Sequence, residues 1–263
     1  MRDILEEIIA WKRQEVKIQK RELSPAELYK RVERKMDDCT TVRSMATSLI
    51  ECSHGIIAEF KRKSPSKGWI HVDAEPTDVV PQYVQAGAAA LSILTDEKFF
   101  GGTLQYIRTL RPLVETPILR KEFVVDEYQL FQSKDAGADA VLLIAACLEL
   151  KKCATLIRTA HELKLEVLLE IHSPTELDYA SLDADMLGVN NRNLGSFHTD
   201  VENSFRLAPM LPTERVKVSE SGISNPQTIR QLREAGFRGF LIGESFMKED
   251  KPGNALRRFL EAL

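Results

Sequence analysis

From about residue 55 onward, short apolar runs alternate with polar loops and helical patterns, and this regular βα alternation constrains the fold more than any other feature of the chain. The runs are Ile56-Ile57-Ala58, Ala90-Leu91-Ser92-Ile93-Leu94, Pro117-Ile118-Leu119, Ala140-Val141-Leu142-Leu143-Ile144, Val167-Leu168-Leu169, Met186-Leu187-Gly188-Val189, Val216-Lys217-Val218 and Phe240-Leu241-Ile242, which makes eight strands. A weak internal repeat sets their spacing. Ala-Gly closes a helix and leads into a strand at Gly87, Gly137 and Gly236, and Asp183-Ala184-Asp185 fills the equivalent place before the sixth run. Taking Gly87, Gly137, Ala184 and Gly236, the intervals are 50, 47 and 52 residues for two units each. One unit therefore takes about 25 residues and eight take about 200, while residues 55–263 supply 209. The arithmetic predicts an α/β fold, a single (β/α)8 TIM barrel. A doubly wound open sheet would more often carry a glycine-rich dinucleotide loop after its first strand, and Glu59-Phe60-Lys61 stands there instead.

The segment before the barrel reads differently. Residues 1–38 hold 10 basic and 9 acidic side chains, interleaved with Ile4, Ile8, Trp11 and Ile18 at helical spacing. Ser24-Pro25-Ala26-Glu27 is a capping box with Pro at the first helical position, so a second short helix is expected to start there. A basic arm for nucleic acid is the sharper alternative, but the near balance of charges favours a solvated helix that packs on a larger body. Residues 1–50 are accordingly assigned to an N-terminal helical extension and residues 51–263 to the barrel, as one domain overall.

Bulk properties narrow the function classes. With 36 Lys and Arg against 39 Asp and Glu, the net charge of −3 provides no positive field to collect phosphate backbones or anionic lipid. The longest apolar run, Ala140 to Leu148, is too short to span a bilayer. The N-terminus lacks the apolar core of a secretory signal, so a cytoplasmic location is expected. Cys39, Cys52, Cys147 and Cys153 form no Cys-x-x-Cys pair and no zinc spacing, and read as buried or neutral thiols with no metal site.

Parallel barrels carry their reactive groups at the C-terminal ends of the strands. Those ends are charged here: Glu59 and Lys61, Asp96-Glu97-Lys98, Arg120-Lys121-Glu122, Glu170, Asn190-Asn191-Arg192 and Glu220-Ser221-Gly222. One such residue is usually a solvated loop residue, but ionisable groups at five or more strand ends converge on one mouth. Glu59 and Lys61 share a strand face, because i and i+2 do. They are read either as a structural ion pair or as a lysine whose pKa is lowered among cations into a usable proton donor, with Lys121 in the same position. Glu170 is embedded in apolar sequence, where desolvation raises a carboxyl toward general-base values; an ion-pair partner for a lysine is its plainer reading. Ser221-Gly222 and Gly243-Glu244-Ser245 put small residues at the seventh and eighth strand ends, where barrel enzymes commonly bind phosphate. Phe99-Phe100-Gly101-Gly102 offers aromatic surface for a planar group, with core burial an equal contender.

Taken together, these segments resemble the indole-3-glycerol phosphate synthase family. The residues that carry the resemblance are Ile57-Ala58-Glu59-Phe60-Lys61-Arg62-Lys63-Ser64-Pro65-Ser66, Leu94-Thr95-Asp96, Phe99 to Gly102, Leu119-Arg120-Lys121-Glu122-Phe123, Glu170-Ile171-His172, Gly188 to Leu194, Ser219 to Ile223 and Leu241 to Ser245. The resemblance implies a carboxy-lyase of tryptophan biosynthesis. Its substrate, 1-(2-carboxyphenylamino)-1-deoxyribulose 5-phosphate, closes a pyrrole ring with loss of carbon dioxide and water. It implies a catalytic set of Lys121 as general acid, Glu170 as base of later steps, Lys61 as a second cation tuned by Glu59, Asn190 holding hydroxyls, and Ser221. It further implies that phosphate lies on Ser221, Gly222, Gly243 and Glu244, with Ser64 in the binding set. Phe100, Phe123 and Leu194 are implied to bound the aromatic ring, and Arg192 to hold Glu59 or Glu170. The N-terminal helices are implied to cover the mouth. No cofactor is implied. The implied partner is a phosphorylated small molecule, with neither nucleic acid nor membrane, and the chain is expected as a monomer, a weak dimer being the alternative.

Two other functions fit parts of this pattern. A sugar-phosphate isomerase of the phosphoribosylanthranilate isomerase kind would share the phosphate site. It needs only one acid-base pair at one carbon, whereas Lys61, Lys121 and Glu170 make three groups. A catalytically silent barrel that binds a phosphorylated metabolite is the remaining reading.

Overall fold

Each of the eight apolar runs contributes a strand in the computed structural model, which describes residues 4–38, 43–193, 195 and 198–263. The strands are β1 Ile56–Phe60, β2 Ala90–Leu94, β3 Ile118–Lys121, β4 Ala140–Ile144, β5 Glu166–Ile171, β6 Met186–Asn190, β7 Val216–Glu220 and β8 Phe237–Ile242. All neighbours pair in parallel, and β1 closes on β8 to complete the barrel. Pro117, counted with the third run, lies just outside β3, where a residue without an amide hydrogen costs no ladder bond. The strands are apolar on both faces because both faces are covered. Ile56, Ala58 and Phe60 point outward into the layer shared with the helices, and Ile57 points inward to a separate core of Leu119, Leu142, Leu168, Met186 and Val218. Gly87, Gly137 and Gly236 have φ of 103°, 93° and 95°, so the Ala-Gly repeat marks left-handed turns between helix and strand.

The N-terminal segment forms three helices, α1 Ile4–Glu22, α2 Pro25–Asp38 and α3 Met45–Glu51. The capping box closes as expected. The Ser24 amide donates to Glu27 Oε2 at 3.2 Å, and the Glu27 amide donates to Ser24 Oγ at 3.3 Å. α2 lies along the barrel wall on the helix Tyr128–Ala136, with Tyr29 stacked on Phe131 at 3.8 Å between centroids. Only the start of α1 reaches the mouth. α3 sits at the opposite end, where Met45 and Leu49 complete the inner core. The reason is topological: α3 leads directly into β1, and β1 starts at the bottom of the barrel. The implied cover over the mouth is therefore supplied by α1 alone among these helices.

Two local features are not expected from the sequence. A short antiparallel hairpin of Lys63–Ser64 and Gly68–Trp69 follows β1, and the unit after β5 carries a 3-10 helix, Pro174–Ser181. Cys153 is buried while Cys52 and Cys147 are half-buried; Cys39 lies outside the described residues. Among the described residues no helix is long and apolar enough to cross a membrane.

Glu166, at the start of β5, fastens α3. Its carboxylate accepts from Ser44 Oγ at 2.5 Å and from the amides of Met45 and Ala46 at 2.6 and 3.0 Å. Hydrogen bonds to a charged group at a helix start are worth about 1.5 to 3 kcal/mol. Glu166→Ala is expected to lower the unfolding free energy by about that amount, read by urea denaturation, with KM unchanged because the mouth is at the other end.

Candidate active site

The strand ends converge because every strand runs the same way, so all eight C-terminal ends open onto one cavity of about 630 Å³. Thirteen of the fourteen residues expected at the site line it: Glu59, Lys61, Ser64, Phe100, Lys121, Phe123, Glu170, Asn190, Arg192, Ser221, Gly222, Gly243 and Glu244. The fourteenth, Leu194, lies outside the described residues. Ile4, Leu5 and Ile8 of α1 also border the cavity. Among the described residues no group of three His, Cys, Asp or Glu side chains is placed to hold a metal ion.

Lys121 stands at the centre. Its ammonium is in close contact with Glu220 and lies 3.3 Å from Glu170 Oε2. Burial works against its charge, but Glu220, Glu170 and Glu59 outweigh that and raise its pKa above the ordinary lysine value. The expectation of a lysine that loses pKa among cations fails here; the neighbours are carboxylates, so the shift has the opposite sign. Lys61 pairs with Glu59 Oε1 at 2.6 Å, as their shared strand face requires. Burial would raise Glu59, yet Lys61 and Lys121 together hold it below the usual carboxylate range.

Glu170 is likewise corrected. Burial alone pushes it up, the direction expected from its apolar sequence context, but Lys121, His172 and Asn190 prevail and hold it well below the usual range. Its neighbour Glu220 moves the other way, up to about 7, because burial and the charge of Glu170 together exceed the pull of Lys121. The two carboxyls share one ammonium, so ionising the first raises the second. Sequence reasoning finds Glu220 only as a strand end and does not place it in the site; its position just before Ser221 is the available signal. His172 is missed as well. It pairs with Glu170 Oε1 at 3.1 Å, and the same i, i+2 rule that joins Glu59 to Lys61 applies to Glu170 and His172.

Two glycines make room for these carboxylates. A Cβ at Gly188 would lie 2.3 Å from Glu220 Oε1, and one at Gly243 would lie 2.4 Å from Glu59 Oε1. At the seventh strand end Ser221 and Gly222 both have positive φ, 68° and 75°, which turns the backbone along the cavity wall. Ser64 has a buried hydroxyl with no hydrogen-bond partner among the described residues, on the cavity wall. Arg192 does not touch Glu59 or Glu170. Its guanidinium donates to Ser66 Oγ at 2.7 Å and to Glu244 Oε2 at 3.4 Å, so it ties the loop after β1 to the end of β8. Phe100 and Phe123 face each other at 5.9 Å between centroids, on the ends of β2 and β3. In a ring of eight strands β3 and β7 are four apart, so Phe123 and Gly222 stand on opposite sides of the mouth. The cavity thus has an aromatic half, a half of small residues and exposed backbone, and a charged floor between them.

The family model described as indole-3-glycerol phosphate synthase matches residues 5–259. A protein of that name from Bacteroides thetaiotaomicron is 60% identical over 263 residues, which is 100% of both chains. Another from Polaromonas naphthalenivorans is 40% identical over 259 residues, 97% of this chain and 98% of its own. Among solved structures, the 3-hexulose-6-phosphate synthase of Salmonella typhimurium superposes with a TM-score of 0.64 at 14% identity, over 80% of this chain and 98% of its own. Tryptophan synthase subunit alpha from Legionella pneumophila gives 0.61 at 14% identity, over 83% of this chain and 98% of its own. At that identity the structural likeness is one of fold.

Burial pulls His172 down, but Glu170 and Glu176 outweigh it and raise the imidazole to about 10, above its ordinary 6.5. A group raised in the folded state adds stability that is full below the unfolded pKa and fades as pH climbs through the folded one. Urea denaturation of wild type and His172→Gln is therefore expected to show the largest stability difference below pH 6.5, shrinking toward pH 10. A difference that does not vary with pH would mean that folding leaves the His172 pKa unshifted, and one that falls below pH 6.5 would mean that His172 is held neutral in the folded protein.

Proposed function

The chain belongs to the indole-3-glycerol phosphate synthase family, and from that premise we propose how its cavity divides the work of the reaction. The activity is that of a carboxy-lyase: 1-(2-carboxyphenylamino)-1-deoxyribulose 5-phosphate closes to indole-3-glycerol phosphate with release of carbon dioxide and water. The observation that carries the assignment of roles is Lys121, a buried ammonium between carboxylates, on the floor between the aromatic half and the backbone-lined half.

In this reading the substrate's phosphate lies against Ser221, Gly222, Gly243 and Glu244, with Ser64 beside it. Its aromatic ring lies between Phe100 and Phe123, with Leu194 in the same set. The Glu244 carboxylate turns to Arg192 and to Lys67, at 3.4 and 3.9 Å, so it is offset by cations rather than set bare against the phosphate. The ring carbon bearing the carboxylate attacks the carbonyl carbon, and Lys121, kept protonated by its neighbours, gives its proton to the carbonyl oxygen. Carbon dioxide then leaves and its electron pair restores the aromatic ring. Loss of the new hydroxyl as water is assisted by Lys61, with Glu59 orienting that lysine, and Glu170 takes the last proton. Asn190 hydrogen-bonds to Glu170 and keeps a polar atom beside the hydroxyls. No step calls for a cofactor. Residues 1–50 as an extension on the barrel, a monomeric state and a cytoplasmic location complete the proposal; the substrate class is a phosphorylated small molecule.

Incubation of the purified protein with the carboxyphenylamino-deoxyribulose phosphate, with indole-3-glycerol phosphate followed by mass, tests the whole reading. Lys121→Ala is expected to lower kcat about 10² to 10⁴-fold while inorganic phosphate still binds by calorimetry. Unchanged kcat would remove Lys121 from the acid role. Glu170→Gln is expected to accumulate a species that has lost carbon dioxide and retained its hydroxyl, visible by mass in single-turnover samples; equal turnover with no such species would place the base elsewhere.

A further inference from the structure

Lys12 is 1% exposed, a burial that an ammonium tolerates only when it is paired. Three carboxylates surround its Nζ: Glu15 of the same helix at 2.6 Å, Asp96 at 2.9 Å and Glu122 at 3.0 Å. The two barrel partners are not idle acceptors. Asp96 Oδ1 accepts the amides of Phe99 and Phe100 at 2.7 and 3.2 Å and so starts the one-turn helix that carries Phe100. Glu122 stands between Lys121 and Phe123, accepts the Phe123 amide at 2.9 Å and accepts Thr95 Oγ1 at 2.8 Å. Lys12 therefore meets the two carboxylates that hold the two aromatic rings of the cavity.

The other end of the lever is α1 itself. Ile8 is one turn before Lys12 on the same helix face, and Ile4, Leu5 and Ile8 border the cavity. Trp11 adds an outer tether, with Lys98 Nζ 4.1 Å from the centre of its ring. The ion pairs of Lys12 run to Glu15, Asp96 and Glu122, on the side of the mouth away from Ser221, Gly222 and Gly243.

We propose that Lys12 is a positioning residue for the ring-binding half of the site: it clamps α1 onto the ends of β2 and β3, so that Ile4, Leu5 and Ile8 close over the aromatic ring of a substrate that Lys12 never touches. The proposal rests on the placement of that ring between Phe100 and Phe123. It separates two functions a buried ion network can have. A network that only neutralises buried acids can be replaced by removing the acids as well; a clamp cannot, since removing both sides leaves α1 unfastened.

The test uses the full chain with Trp69→Phe, which leaves Trp11 as the single tryptophan and a reporter of α1. Two variants are compared in that background, Lys12→Met and the triple variant Lys12→Met, Asp96→Asn, Glu122→Gln; the Asp96→Asn change keeps a side-chain oxygen to start the Phe100 turn. The clamp requires KM to rise about tenfold or more in both, the scale of a lost apolar wall, with kcat changed far less because Lys121 keeps Glu170 and Glu220. Affinity for the reduced, unreactive alcohol of the substrate should fall by the same factor, and affinity for inorganic phosphate should hold. Trp11 emission should shift to the red in both variants. The triple variant should recover thermal stability that the single variant loses, without recovering KM. If KM and Trp11 emission return to wild type in the triple variant, Lys12 only neutralises charge and the clamp is overturned. If the wild type binds the reduced substrate no better than inorganic phosphate, the ring placement fails instead, and the Trp11 shift still decides whether Lys12 holds α1.

Discussion

Charge that is buried must be paired, and the mouth of this barrel is organised around that requirement. Two networks meet at adjacent residues of one strand end. Lys121 gathers Glu170 and Glu220 beneath the cavity, and Glu122 gathers Lys12 and Arg120 behind it, with Asp96 completing the second set around Lys12. Alternation along the strand sends the two neighbours to different faces, so chemistry and packing are served by consecutive side chains. Lys121 and Glu122 are consecutive residues held by separate partners, so the two networks are neighbours along one strand end without sharing a side chain.

The same requirement explains why the carboxyls differ. Glu59, Glu170 and Glu220 are all buried, yet burial decides the outcome only for Glu220. Glu59 has Lys61 to itself, Glu170 has Lys121, His172 and Asn190, and Glu220 has only a share of Lys121 against the charge of Glu170. Three carboxyls at one depth thus hold different protonation preferences, which a site that both gives and takes protons needs.

The barrel is legible because a period of about 25 residues is a property of the sequence itself, and strand ends follow from strand positions. Which residues face the cavity follows from the same periodicity, so Glu59, Lys61, Lys121 and Glu170 are found without reference to contacts. Signs of pKa shifts are not legible, because they depend on which neighbours arrive from other strands; Lys121 meets Glu220 from 99 residues away. Lys12 is hidden for a related reason. In sequence it is one more cation on a helix of mixed charge, and only the approach of the β2 and β3 ends makes it a buried one. Arg192 is legible only in part: it acts on Glu59 through its charge, while its hydrogen bonds go to Ser66 and Glu244, which the sequence does not reveal.

Gly188 and Gly243 give the arrangement a historical direction. Each is an empty space filled by a carboxylate from another strand, so any side chain acquired there evicts Glu220 or Glu59 rather than simply adding bulk. Substitutions that retune the cavity for a different substrate are open at Phe100, Phe123 or the first turns of α1, where side chains meet the ligand space and not each other's charges. The rim of this barrel is free to diverge while its floor is not: descendants of such a chain can change what they hold far more readily than where they keep their protons.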